Sequence, residues 1–126
     1  MMVSALARPL ELSPQPTVAR RQLARLLDDA SWDGDVDGVI LAVHEAMVNA
    51  QRHGGGVTHA SAGFEGRDLV VEVADRGRGF LVPQSPGVAD VSAERGRGLF
   101  LIRHLAGDAR VVRNGTDVRL VLTFHR

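Results

Sequence analysis

Apolar residues recur along this chain first every three to four positions and later every two, and each change of rhythm marks an element. From Thr17, the residues Ala19, Leu23, Leu26, Leu27 and Ala30 form a helical stripe, while Arg20, Arg21, Arg25, Asp28 and Asp29 fall outside it, which predicts an amphipathic surface helix. Asp33-Gly34-Asp35 interrupts, and Val36, Val39, Ile40, Val43, Met47 and Ala50 trace a second helix up to the stop at Gly54-Gly55-Gly56. The period then becomes two. Val57 to Phe64 and Leu69 to Ala74 read as strands of a hairpin around Glu65-Gly66-Arg67, with Leu69, Val71 and Val73 on one face and Glu72 on the other. Gly98 to Ala106 reads as a short apolar helix, and Ala109 to Arg113 pairs with Asp117 to Phe124 across Asn114-Gly115. Upstream, Val3 to Leu12 is a candidate edge strand, broken by Pro9 and closed by Ser13-Pro14-Gln15-Pro16. Between Phe80 and Arg95 the chain holds Pro83, Pro86 and Gly87 with little periodicity; it is long for a connection and is read as a lid over residues 81–95. The order predicts an α/β (α+β) two-layer sandwich, with helices on one face of a mostly antiparallel mixed sheet, in a single domain over residues 1–126.

Composition narrows the chemistry. Formal charge is balanced, so no global field draws the chain to nucleic acid or to an acidic membrane, and neither is expected as a partner. Every basic side chain is arginine, which excludes a Walker-type phosphate loop because that loop needs its lysine. With no cysteine, disulfides, thiolate nucleophiles and cysteine zinc sites are excluded too. Arg8 and Pro9 stand where a signal peptide needs an apolar core, and no stretch approaches the ~20 apolar residues of a membrane span, so a cytoplasmic protein is expected.

Three clusters carry candidate chemistry. On the second helix, Glu45 falls about opposite the apolar stripe, and Asn49 and His53 follow at i,i+4 steps to make a polar ridge. Between ridge and stripe stand Ala42 and Ala46, small enough for a ligand to lie close to the helix. Asp75 shares the parity of Leu69, Val71 and Val73, so its carboxylate points to the buried side at the strand's end, where it needs donors. In isolation an Asp-x-Gly step is an Asx turn. Gly77 and Gly79 let backbone approach a flat ligand whose exocyclic amino group, such as that of adenine, would satisfy the aspartate, with Phe80 closing the pocket. Arg95-Gly96-Arg97-Gly98-Leu99 opens the third helix, where glycine amides, a helix N-terminus and arginines would face an anion such as a triphosphate.

In this order the three clusters resemble the GHKL superfamily of ATP-binding domains (the Bergerat fold), shared by gyrase, the Hsp90 chaperones, MutL and histidine kinases. His44 to Gly54 resembles its N box, Asp75 to Phe80 its G1 box, Arg95 to Leu99 its G2 box and Gly115-Thr116 its final Gly-Thr element. From its length, the chain is expected to stand alone, without the extra domains of gyrase and MutL relatives or a kinase's dimerisation helices. It is similar to the stand-alone bacterial anti-sigma factors that are also serine protein kinases. That resemblance implies ATP and Mg²⁺ as cofactors. It gives Asn49 the Mg²⁺ against the phosphates, His53 a place in the nucleotide site and Asp75 the adenine amino group. Gly77, Gly79, Gly96 and Gly98 shape the pocket beside Phe80 and Leu99, Thr116 sits near the adenine end, and Arg95 and Arg97 are both candidates for the γ-phosphate. Glu45 would be the general base on a serine of an anti-anti-sigma antagonist, Arg20 would lie on the surface that binds a sigma factor, and the family suggests a homodimer. The alternative is a non-catalytic module in which ATP tunes the affinity for a partner, whether a sigma factor or another protein.

Overall fold

The computed structural model describes residues 8–77, 100–115 and 117–126. The expected lid, together with Gly79, Phe80, the run Arg95 to Leu99 and Thr116, lies outside the described residues.

Helix α1 runs Pro16–Asp29, with Pro16 at a first-turn position whose amide would have no intrahelical partner in any case. It starts one residue earlier than the stripe predicts, and Ala30 is its C-cap rather than part of it. Ala19, Leu23 and Leu27 are buried, and Arg20, Arg21 and Arg25 are exposed. Helix α2 runs Val36–His53 as expected, started by Asp35, whose Oδ1 accepts from the Gly38 amide at 3.0 Å. At its other end the Gly54 and Gly56 amides both donate to the Ala50 carbonyl at 3.0 Å.

Among the described residues five strands follow the predicted hairpin rhythm: β1 Leu10–Glu11, β2 Val57–Glu65, β3 Asp68–Asp75, β4 Asp108–Asn114 and β5 Asp117–Phe124. Every pairing among them is antiparallel, in the order β1-β2-β3-β5-β4. Of the edge strand expected over Val3 to Leu12, residues 3–7 lie outside the described residues; within the described part β1 is Leu10–Glu11, directly after Pro9, which has no amide to donate. Asn114 pairs with Asp117, so the tight turn falls after Asn114 and not across Asn114-Gly115; Gly115, at φ 68°, takes its left-handed step.

Parity places Leu69, Val71, Val73 and Asp75 on one face of β3, opposite Phe124, Leu122, Leu120 and Val118 of β5. These side chains are buried, and α2 lies over them with α1 packed against it. Residues 100–105 are helical, and Ile102 and Ala106 join the same core. The other face carries Glu72 and Arg119, which pair across β3 and β5 at 3.1 Å. The result is the expected two-layer sandwich with helices on one side. Among the described residues no helix is long and apolar enough to cross a membrane.

Candidate nucleotide site

The C-terminal end of α2 and the end of β3 meet. The Arg76 amide donates to the Gly54 carbonyl at 3.0 Å, so the first residue past β3 is tied to the first residue past α2. Next to this link the Asp75 carboxylate lies against Gly54, and a Cβ on Gly54 would stand 2.5 Å from the carboxyl carbon. Asp75 is 4% exposed. Its Oδ1 accepts from the Gly77 amide at 2.6 Å, an Asx turn that Gly77 permits by taking a φ of 77°. The turn and the buried carboxylate are thus both present: the turn orients the side chain, and the strand's parity sends it toward the helices.

Asn49 stands one helical turn before His53, which immediately precedes Gly54. It is 5% exposed, and among the described residues its Nδ2 has no hydrogen-bond partner; the His53 Nε2 is likewise buried and unpartnered. An unmade hydrogen bond at a buried amide costs about 1–3 kcal/mol, so this cluster is not what stability alone would select. The ridge is not a solvated helix face. Glu45 and His53 are half-buried, Asn49 is buried, and Ala42 and Ala46 are 0% and 1% exposed within the core cluster. The two alanines do not form an open wall for a ligand; at 100° per residue they fall on the sheet-facing arc with Val39, Val43 and Ala50.

The structure thus brings Asn49, His53, Asp75 and Gly77 to one end of the fold, with Glu45 one turn further back along α2. Arg20 is elsewhere, on the exposed side of α1. Gly54 reads in the sequence as a helix stop and as the last residue of the N-box resemblance, but its contact with Asp75 joins residues far apart in the chain, and no local signal announces it. His44 also has a buried Nδ1 with no partner among the described residues, and nothing there explains it.

The donor set suits an anionic ligand with a divalent cation. The Asn49 amide offers a nitrogen that lacks an acceptor and, on the same group, an oxygen able to ligate a hard cation. Among the described residues no group of three or more His, Asp or Glu converges, so a cation held by Asn49 would not rest on such a cluster there.

Comparison with known proteins agrees with this architecture. No curated protein matches the sequence. Among solved structures, the chain is similar to the crystal structure of the RsbU and RsbW domains of Rv1364c from Mycobacterium tuberculosis, with a TM-score of 0.65 at 21% identity. The match covers 94% of this chain and 32% of that one, so the chain spans about a third of its relative's length, and at this identity the likeness speaks for the fold. The model of the histidine kinase-like ATPase domain matches residues 10–122, which takes in both α2 and the end of β3. The chain belongs to the histidine kinase-like ATPase domain family.

Proposed function

We propose that the protein is an ATP-binding anti-sigma factor and serine protein kinase, a single domain that sequesters a sigma factor and phosphorylates an anti-anti-sigma antagonist. The observation that carries the nucleotide site is the pairing of two buried polar groups at one end of the fold. These are the Asn49 amide with its unpartnered nitrogen and the Asp75 carboxylate against Gly54. Family membership supports ATP as the ligand, and the fold likeness to a chain containing an RsbW domain supports the partner-switching role.

Bound ATP with Mg²⁺ would supply the phosphoryl group and neutralise its charge. The chain's own residues would do the rest. Asp75, oriented by the Gly77 amide, accepts from the adenine amino group. Asn49 holds the cation against the phosphates, and His53 presents its buried Nε2 to the same region. Glu45 takes the proton of the attacking serine hydroxyl. From the family resemblance, roles also fall to Gly79, Phe80, the Arg95 to Leu99 run and Thr116, which would contribute to nucleotide binding, one of Arg95 and Arg97 toward the γ-phosphate. Arg20, exposed on α1, belongs to the sigma-binding surface.

Calorimetry with ATP, with and without Mg²⁺, tests the site: wild type binds, and Asn49→Ala removes the Mg²⁺ dependence. Incubation with candidate antagonists then tests the chemistry. Glu45→Ala is expected to abolish serine phosphorylation with ATP binding kept, and absence of phosphorylation by wild type would leave a nucleotide-tuned binding module in its place.

A further inference from the structure

Three consecutive glycines end α2, and they are glycine for different reasons. Gly55 and Gly56 have φ of 86° and 108°, conformations that a side chain strains. Gly54 does not: its φ is −97°, ordinary for any residue. What forbids a side chain there is space. A Cβ on Gly54 would lie 2.5 Å from the Asp75 carboxyl carbon and 2.9 Å from its Cβ, with a carboxylate oxygen closer still.

Such a contact is cheap to relieve only when the neighbour can swing aside. Gly107 illustrates the easy case. A Cβ there would meet the ring of His125, whose side chain is 60% exposed and has solvent to turn into. Asp75 has no such freedom. Its side chain is short and buried, its Oδ1 is tied to the Gly77 amide, its own Cβ is part of the contact, and its strand is paired on both sides through Val57 and Val118. Gly54 is equally fixed by the bonds from its amide to Ala50 and from the Arg76 amide to its carbonyl.

From this we infer that Gly54 is a positioning residue for base recognition. Its missing side chain lets the Asp75 carboxylate seat against the end of α2, and that seat sets where the carboxylate meets the nucleotide base. The inference rests on the reading above in which Asp75 accepts from the adenine amino group, and it adds the element that holds the carboxylate there.

The test compares ATP with purine riboside triphosphate, which lacks the 6-amino group, by calorimetry on wild type, Gly54→Ala and the control Gly107→Ala. Wild type and Gly107→Ala should prefer ATP by roughly ten- to a hundredfold, the worth of one hydrogen bond to a charged acceptor. Gly54→Ala should lose that preference while binding the deaminated analogue as wild type does, an outcome that a general loosening of the fold would not produce. Retention of the wild-type preference by Gly54→Ala overturns the inference. Equal binding of the two nucleotides by wild type overturns instead the role of Asp75, and the inference with it. If Gly54→Ala melts early, the double variant Gly54→Ala/Asp75→Ala decides. The added methyl should cost little stability once the carboxylate is gone, and an equal cost in both backgrounds shows that Gly54 does not act through Asp75.

Discussion

Glu72 and Asp75 lie on the same strand and point to opposite faces of the sheet. Glu72 stands on the open face, about a third exposed, with Arg119 at 3.1 Å, and Arg119 reaches Asp117 at 3.3 Å as well. Asp75 is sealed on the helix face against the backbone end of α2. On the open face charges answer one another beside water, an arrangement with little energy at stake. At the α2 end, by contrast, polar groups are buried, and two of the nitrogens have no partner among the described residues. Placing unpartnered polar atoms where desolvation is costly is characteristic of a site built for a ligand that completes them.

The largest expected effect sharpens the contrast between the faces themselves. Leu122 is fully buried opposite Val71, whereas its neighbour Thr123 belongs to the open face opposite Val70. Leu122→Ala should cost about 2–5 kcal/mol in denaturant unfolding, and Thr123→Ala only about 0.5 kcal/mol. Equal costs would mean that something covers the open face in solution. The next effect concerns the two carboxylates. Asp75→Asn should weaken ATP binding by roughly a hundredfold or more, while Glu72→Gln leaves it unchanged; calorimetry that finds both equally affected breaks the comparison.

A smaller effect has the opposite sign. Asn49→Ala removes a buried amide nitrogen that has no partner among the described residues, and a mediocre helix former, so the unliganded protein should gain about 1 kcal/mol, read from the fluorescence of its one tryptophan, Trp32, during unfolding. The same substitution should abolish the Mg²⁺ dependence of ATP binding. A loss of stability would show that Asn49 is structural. Last comes the open-face pair. Arg119→Ala should cost no more than about 1 kcal/mol, and the cost should shrink further in high salt. Its hydrogen bond to Glu72 is the main cause that raises the Arg119 guanidinium above its ordinary value. A raised basic group gives stability that is complete below its unfolded value and lost only as pH climbs through the folded one. For an arginine that lies in strong alkali, so this pair should impose no slope on a stability profile around neutrality.

Much of the fold was legible because its signals are local. The 3.6-residue stripe of α2, the Asp35 cap and the glycine stop delimit a helix whose bounds need no tertiary information. Alternation along β3 likewise announced that Asp75 would share the buried face of Leu69, Val71 and Val73. Less could be read at the ridge. Spacing puts Asn49 and His53 on one line with Glu45, but it cannot say how wide an arc of α2 the rest of the protein covers, and the arc proved wide enough to bury Asn49 and to take Ala42 and Ala46 into the core.

By itself, then, the sequence determined the elements, their faces and the order of the candidate motifs, because periodicity, capping and turn chemistry act within a few residues. Only the tertiary structure decided that β5 inserts between β3 and β4, and that Gly54 comes to rest on Asp75. Those outcomes depend on which surfaces of distant segments fit together. A glycine that is needed for space and not for its backbone angle looks, in sequence, like any other helix stop.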